Sequence, residues 1–303
     1  MTPIVGFILL THKQPHQIIR LVNTLNRMFD HPPIACHHDF SKSDLPIATL
    51  ASNVSLVQPH LRTGWGKFSV VEAMLRALQL MYETTTSPDW FILLSGVDYP
   101  IQPAKQILHD LASSLYDVHI HHEQIMTLGA TGNIKRSIQS PGGRKVQQKL
   151  CYERYCTIKF RDPFLNKTLS LKHPVITTPF LPFSKNLRCF AGEHWFCGNR
   201  KAAKYLLEFH DTRRALASHY RRFDSFTIIP EESYYQTVYC NAPHLKVSNN
   251  NWRYIDWSPG GSHPKTLLSE DMPKIRASSA HFARKFDIAK DVRILNELDA
   301  IVG

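Results

Sequence analysis

Short apolar runs alternate with amphipathic segments along the first part of the chain. The apolar runs predict strands at 4–10, 33–38, 53–57 and 90–94, and apolar positions at helical spacing predict helices at 15–28, 70–82 and 103–115. The run at 90–94 is the clearest strand, because a nearly continuous apolar stretch is typical of burial on both faces of a sheet. This alternation predicts an α/β fold with a Rossmann-type mixed, mostly parallel sheet flanked by helices.

The periodicity weakens between residues 123 and 190, where Gly, Pro and basic residues accumulate. Such a composition predicts a loop-rich basic insertion rather than an independent domain. Regular patterns then return, with a strand at 194–197 and helices at 201–209, 213–220 and 231–239. We therefore predict a single domain over 1–303, divided into a first half at 1–122, the insertion at 123–190 and a second half at 191–303.

The composition is typical of a soluble globular protein, with 43% hydrophobic and 20% charged residues among 303. No apolar run approaches the roughly 20 residues of a membrane-spanning helix, and residues 4–10 lack the basic front and cleavage site of a signal peptide. We expect a cytoplasmic protein. Six sparse cysteines without disulfide or zinc-finger spacing predict reduced thiols rather than a metal site.

The net charge of +11 is unevenly distributed. One basic segment contains Lys135, Arg136, Arg144, Lys145, Lys149, Arg154, Lys159 and Arg161. This segment is either a solvated loop or a surface for an anionic partner. That partner would be a charged acceptor, or the inner face of a membrane that the protein contacts peripherally. Nucleic acid is not an expected partner, because no nucleic-acid-binding motif accompanies the charge.

Glu232 is the sharpest catalytic candidate, because it follows Pro230 at a predicted helix start, where a carboxylate can be held close to a substrate hydroxyl as general base. The alternative is that Glu231 and Glu232 only favour the helix dipole. Arg284 and Lys285 lie between aromatic residues and could hold the charge of a departing diphosphate. In many sugar transferases a divalent metal held by an Asp-x-Asp motif stabilises the diphosphate. The sequence contains no Asp-x-Asp motif, and this absence favours sugar transfer without a divalent metal.

Further candidates lie at strand ends and in aromatic or histidine clusters. Asp39 and Asp98 follow predicted strands, at the edge where open α/β sheets bind ligands. A histidine cluster could share a metal ion, although surface histidines near an edge strand are the preferred interpretation: His119, His121 and His122. Four tryptophans are candidate stacking platforms for a sugar or a base, with core packing as the alternative: Trp65, Trp195, Trp252 and Trp257.

The order of these motifs resembles glycosyltransferase family 14, the core-2/I-branching β-1,6-N-acetylglucosaminyltransferases and peptide O-xylosyltransferases, over nearly the whole chain. The matching segments are Thr-His-Lys at 11–13, His-His-Asp-Phe-Ser-Lys-Ser at 37–43, Trp-Gly-Lys-Phe-Ser-Val-Val-Glu-Ala at 65–73, Ser-Gly-Val-Asp-Tyr-Pro at 95–100 and Phe-Ala-Arg-Lys-Phe at 282–286. The resemblance implies a GT-A-like fold and an inverting, metal-independent transfer without a cofactor. N-acetylglucosamine or xylose would move from a UDP-sugar to a hydroxyl of a glycan or glycoconjugate acceptor, forming a β-linkage.

The resemblance also implies roles for individual positions. Residues 1–122 would bind the nucleotide sugar, residues 191–303 would hold the acceptor and the catalytic group, and Glu232 matches the catalytic base. The implied donor-binding residues are Thr11, Asp39, Trp65, Arg284 and Lys285. The implied acceptor-binding residues are Asp98, Glu193, Trp195, Arg253 and Trp257.

Two departures from the family pattern bear on the substrate. The Gly-Ser-x-Trp acceptor segment of the family is Gly-Glu-His-Trp here, at 192–195, so the acceptor need not be a familiar one. A further family cation has no clear counterpart, with His263 and Lys265 as candidate substitutes. The rival hypothesis is a non-catalytic module that binds glycans or anionic surfaces and derives from a transferase.

Overall fold

The computed structural model describes residues 2–83, 87–125, 137–139, 145–162, 167–171, 178–226, 228–260 and 263–303. Its helices are α1 Pro15–Phe29, α2 Phe68–Glu83, α3 Ala104–Ala112, α4 Gln148–Tyr155, α5 Arg200–Thr212, α6 Arg214–Arg222, α7 Tyr234–Cys240, α8 Met272–Arg276 and α9 Val292–Val302. Its strands are β1 Val5–Thr11, β2 Ile34–His38, β3 Val54–Leu56, β4 Trp90–Ser95, β5 Asp98–Pro100, β6 Val118–Ile120, β7 Glu123–Gln124, β8 Ser137–Gln139, β9 Lys145–Gln147, β10 Ile158–Arg161, β11 Thr168–Leu171, β12 Phe190–Ala191, β13 Phe196–Asn199, β14 Val247–Ser248, β15 Arg253–Ile255 and β16 Phe282–Arg284.

A seven-stranded sheet with the order β14-β6-β13-β4-β1-β2-β3 forms the centre of the molecule. β1 pairs in parallel with β2 and β4, β2 pairs in parallel with β3, and β14 pairs in parallel with β6. β13 runs antiparallel to both of its neighbours. The predicted fold class is confirmed: an α/β fold with a mixed, mostly parallel sheet.

Helices cover both faces of this sheet because β1 is apolar on both sides. Ile8 points into a core that includes Val71 and Met74 of α2. Phe7 and Leu9 point the other way, into a core built with α1 and α9. Burial on both faces explains the continuous apolar runs at 4–10 and 90–94 and confirms the run at 90–94 as a central strand.

A smaller sheet, β15-β16-β5, lies beside the carboxyl end of β4. β16 pairs antiparallel with β5, which places Arg284 opposite Asp98. This pairing brings a cation from near the end of the chain to the edge of the main sheet. It joins residues that are far apart in the sequence, so local periodicity could not predict it.

The insertion contains more regular structure than the sequence predicted. Its helix α4 buries Cys151, Tyr152 and Tyr155 in the core, and β8-β9 and β10-β11 form two antiparallel hairpins. Three of the predicted basic residues, Lys135, Arg136 and Arg144, lie outside the described residues. The helix predicted at 231–239 instead begins as a 3-10 turn at Pro230–Glu232 and continues as α7.

The prediction of surface histidines at an edge strand was wrong for His119 and His121. Both are buried, and β6 lies inside the sheet between β14 and β13. His119 stacks on Trp252 with ring centroids 3.8 Å apart, and Trp252 stacks on His281 at 4.2 Å. Ring stacking explains why His119 and His281 tolerate burial, and it holds the partly buried Trp252 against the core.

The six cysteines are unpaired, as predicted, and Cys240 is the least buried of them. Among the described residues, no helix is long and apolar enough to cross a membrane.

Candidate active site

A cleft of about 570 Å³ opens where β1, β2 and β4 end. This is the edge at which α/β sheets bind ligands. Eight of the residues singled out in the sequence line it: Thr11, Trp65, Glu193, Trp195, Glu232, Trp257, Arg284 and Lys285. Glu232 and the Arg284–Lys285 pair are about 50 residues apart in the sequence, yet they line the same cleft.

Asp39, Asp98 and Arg253 are buried behind the cleft wall rather than in it. The Asp39 carboxylate accepts hydrogen bonds from the backbone N–H and hydroxyl groups of Ser41 and Thr63, at 2.6–3.1 Å. These bonds oppose the effect of burial and hold the pKa of Asp39 well below its usual range. Asp39 therefore fixes the loop that carries Thr63, which does line the cleft.

Asp98 acts on the cleft through Arg284. Its Oδ2 accepts a 2.5 Å hydrogen bond from the Ser95 N–H and another from the Ser95 hydroxyl, and its Oδ1 lies 3.3 Å from Arg284 Nε. The Arg284 guanidinium also lies over the Trp195 ring, 4.1 Å from the centroid. A buried carboxylate and an aromatic face thus hold one cation in place at the cleft.

Arg253 connects the two sheets. Its Nη2 donates to the Leu93 carbonyl at 2.8 Å, and its guanidinium lies 4.9 Å from the Phe282 ring centroid. Leu93 belongs to β4 and Phe282 to β16, so Arg253 supports the strand that carries Arg284. The structure gives it a supporting position rather than a place in the cleft wall.

One side of the cleft is rich in cations. Lys13 and Lys42 line it together with Arg284 and Lys285. Burial, followed by the positive charges of Arg284 and Lys13, lowers the pKa of Lys285. An anion placed here would relieve the repulsion between these groups, which makes this side suited to a diphosphate.

Glu232 lies on a tightly anchored turn. The Tyr155 hydroxyl donates to the Ile229 carbonyl at 3.1 Å, and the Gly192 N–H donates to the Glu232 carbonyl at 2.8 Å. Glycine is needed at 192, because a Cβ there would lie 1.9 Å from the His121 carbonyl oxygen. The packing of these segments fixes the backbone of the candidate base.

The side chain of Glu232 is 19% exposed and lies 3.6 Å from Arg154, measured from Oε2 to Nη1. Arg154 belongs to α4, so the basic insertion contributes directly to the site. The sequence analysis placed Arg154 only in a basic surface segment. Nothing in its local sequence distinguishes it from the other cations of that segment.

Glu231 also lines the cleft, although the sequence suggested no more than a helix-dipole role. It is 7% exposed, and its Oε2 has no hydrogen-bond partner among the described residues. Burial, to which the negative charge of Glu232 adds, raises the pKa of Glu231 to about 8. Glu231 is therefore protonated at neutral pH.

His194 and His37 are further cleft residues that the sequence analysis did not assign to the site. Burial and the nearby Arg284 lower the pKa of His194 to about 3, and its ring stacks on Tyr235 at 5.8 Å. Burial lowers the pKa of His37 to about 4, and its Nε2 accepts from the Leu61 N–H at 3.0 Å. Both are neutral rings that shape the wall without adding charge.

The chain matches the profile of the Core-2/I-branching enzymes over residues 5–276. It belongs to this family. Human xylosyltransferase 1 is 25% identical over 275 residues, which cover 84% of this chain and 25% of that protein. The β-glucuronosyltransferase GlcAT14A of Arabidopsis thaliana is 27% identical over 240 residues, 76% of this chain and 46% of that protein. The chain thus spans about a quarter to a half of these relatives.

Among solved structures, the 4-diphosphocytidyl-2C-methyl-D-erythritol synthase of Anaerococcus prevotii aligns over 91% of this chain and 96% of its own, at 10% identity. The TM-score is 0.37, below the level at which two folds are considered the same.

Of the remaining candidate residues in this branching-enzyme family member, some line the cleft and others lie outside it. Trp65 lies at the rim, 60% exposed, with its ring 6.3 Å from that of His263. His263 lines the cleft, whereas Lys265 is paired with Asp271 at 2.7 Å. Of the two candidate extra cations, only the histidine is therefore in position to meet a ligand.

Two successive hydrogen bonds through His38 hold the Thr11 side chain in place. His38 Nε2 donates to the Ser43 carbonyl at 2.7 Å, which leaves Nδ1 to accept from the Thr11 hydroxyl at 2.9 Å. The described parts of the chain contain no group of three or more His, Cys, Asp or Glu side chains that could hold a metal ion.

Proposed function

We propose that this chain is an inverting glycosyltransferase that moves N-acetylglucosamine or xylose from a UDP-sugar to a hydroxyl of a glycan acceptor, forming a β-linkage. The observation that carries the proposal is the shared cleft: one carboxylate at 232 and the cation pair at 284 and 285 line the same cavity. Membership of the Core-2/I-branching family supports the reaction class. The names of the relatives support glycosyl transfer at the coarser level, since one is a xylosyltransferase and another a glucuronosyltransferase.

In the proposed reaction, Glu232 takes the proton from the acceptor hydroxyl while the oxygen attacks C1 of the donor sugar. The bond from C1 to the UDP oxygen breaks on the opposite face, so the configuration at C1 inverts. Arg284 and Lys285 stabilise the negative charge that develops on the departing diphosphate. The ion pair with Asp98 and the stacking on Trp195 hold Arg284 ready, so little reorganisation is needed during the reaction.

The cation cluster takes the part that a divalent metal plays in transferases with an Asp-x-Asp motif, which this sequence does not contain. Arg284 and Lys285, with Lys13 close by, supply fixed positive charge without a bound ion. We therefore propose metal-independent transfer with no cofactor.

The carboxyl groups that line the cleft favour a neutral donor sugar. Glu193, Glu231 and Glu232 line the cleft, and Glu193 Oε1 and Glu231 Oε2 have no hydrogen-bond partner in the part of the chain that the structure describes. Sugar hydroxyls can donate to such oxygens, whereas the carboxylate of a uronic acid would be repelled by Glu193 and Glu232. This arrangement favours xylose or N-acetylglucosamine over glucuronate.

The test is UDP release by the purified protein from a panel of UDP-sugars, with and without EDTA and simple glycan acceptors. The proposal predicts release from one neutral donor at a rate that EDTA does not change. Activity that EDTA abolishes and Mn²⁺ restores would refute the metal-independent mechanism. If no donor reacts and UDP does not raise the melting temperature, the protein is a binding module instead.

A further inference from the structure

The charge of the molecule is concentrated in the insertion. Residues 123–190 contain twelve lysines and arginines and three acidic residues, so they carry nine of the chain's +11 charges. The rest of the chain is close to neutral. The exposed cations here include Lys149, Arg161, Lys167 and Lys185. A segment with this much positive charge attracts an anionic partner.

The hairpin β10-β11 in this insertion has one entirely apolar face. Phe160 lies opposite Leu169 and Ile158 opposite Leu171 in the antiparallel register, so all four side chains share a face. Lys159 and Arg161, with their partners Ser170 and Thr168, form the other face. A hairpin with one apolar and one basic face needs an apolar partner on one side.

The apolar face is buried at one end and open at the other. Ile158 packs against the main core, whereas Phe160 is 48% exposed and Leu169 is 40% exposed. Two more large apolar side chains of the insertion, Leu150 and Phe180, are also exposed. Phe160 and Leu169 lie side by side, and adjoining exposed apolar side chains indicate an interaction site.

The base of the hairpin is firmly attached to the site-forming helix α4. The Lys159 ammonium donates to the carbonyl of Glu153 and, at 3.3 Å, to that of Arg154. The Thr157 hydroxyl donates to the Glu153 carbonyl at 2.7 Å. Because Arg154 pairs with Glu232, a partner bound by the hairpin would be held at a fixed distance from the cleft.

We propose that the insertion docks the protein on an anionic lipid bilayer, with Phe160 and Leu169 entering the headgroup region and exposed cations of the insertion, Lys149 and Lys167 among them, contacting anionic headgroups. A soluble polyanion would account for the charge but gives no reason to expose the apolar pair. A bilayer interface accounts for both, since it takes apolar side chains and negative charge complements the lysines. Docking would bring the cleft to acceptors that are carried on lipid.

The experiment is flotation of the full chain with vesicles of phosphatidylcholine alone or with phosphatidylglycerol, at low and high salt. We expect binding only to the anionic vesicles, and binding that weakens as salt rises. Phe160→Ser with Leu169→Ser should weaken it by about tenfold or more, from the lost burial of two half-exposed apolar side chains. Lys149→Glu with Lys167→Glu should weaken it by at least about 25-fold.

Matched controls lie outside the insertion. Leu115→Ser removes an exposed apolar side chain and Lys105→Glu reverses an exposed charge on α3, and neither should change vesicle binding. All substituted side chains are exposed, and a thermal unfolding curve checks that each variant folds.

The docking proposal is overturned if anionic vesicles are not bound at low salt, or if the apolar double variant binds as well as the wild type. Binding to dextran sulfate but not to vesicles would also overturn it and would assign the surface to a soluble polyanion. None of these readouts depends on glycosyl transfer.

Discussion

Replacing Glu231 with glutamine should stabilise the folded protein relative to the wild type, by an amount that grows as the pH rises. In the folded chain, burial raises the pKa of Glu231 from 4.5 to about 8. The unfolded chain has the ordinary value, so between these two pKa values it releases a proton that the folded chain retains. The wild type therefore loses stability as pH rises from about 4.5 to about 8, whereas Glu231→Gln has no proton to release at this position.

The size of the effect follows from the pKa difference. Each pKa unit corresponds to about 1.4 kcal/mol, so the proton linkage costs the wild type about 1 kcal/mol at pH 5 and about 4 kcal/mol at pH 8. The free energy of unfolding of Glu231→Gln, relative to the wild type, should thus increase by about 3 kcal/mol between these pH values. Other titrating groups contribute equally to both proteins and cancel in the difference.

The assay is urea unfolding of both proteins at pH 5, 6, 7 and 8. Glu297→Gln, an exposed substitution on α9, serves as the control and should show no growing difference. Parallel stability curves for Glu231→Gln and the wild type would refute the reasoning, because they would mean that Glu231 is ionised in the folded protein.

Three further outcomes follow from the cleft. Lys285→Ala should raise the Kd for UDP by about 10- to 100-fold in calorimetry, because it removes a charge-assisted contact to the diphosphate; an unchanged Kd would place the diphosphate elsewhere. Asp98→Asn should lower the free energy of unfolding by about 3–5 kcal/mol in urea titrations, since it leaves Arg284 without its buried partner; a loss below about 1 kcal/mol, within the range of an exposed pair, would contradict this role. UDP-glucuronate should be used with a kcat/KM at least about tenfold below that of the preferred neutral donor, because Glu193 and Glu232 repel its carboxylate; equal use of both donors would contradict that reading.

The main sheet and its helices could be predicted from the sequence because their burial produces regular patterns. The helix predicted at 15–28 is Pro15–Phe29, and the strand predicted at 90–94 is Trp90–Ser95. The hairpins of the insertion could not be predicted in this way. Their strands are only three or four residues long, so the alternation of apolar and polar residues in β10 and β11 is too brief to distinguish a strand from a loop.

The sequence predicted the residues of the candidate site better than it predicted their arrangement. Motif positions led to Glu232, Arg284 and Lys285, and these line one cleft. The pairing of Asp98 with Arg284 depends on strand register between distant segments, and the protonation of Glu231 depends on burial. Neither register nor burial can be derived from the local sequence around these residues.

Glu232→Gln tests the central claim most directly, with Glu231→Gln as the matched control one position away. The account predicts that Glu232→Gln binds UDP like the wild type but loses transfer by about 10²–10⁴-fold, because it cannot take the acceptor proton. Glu231→Gln should retain transfer to within about tenfold, since glutamine resembles the protonated side chain, and a factor of ten is only about 1.4 kcal/mol. Near-normal turnover by Glu232→Gln would contradict its assignment as the catalytic base.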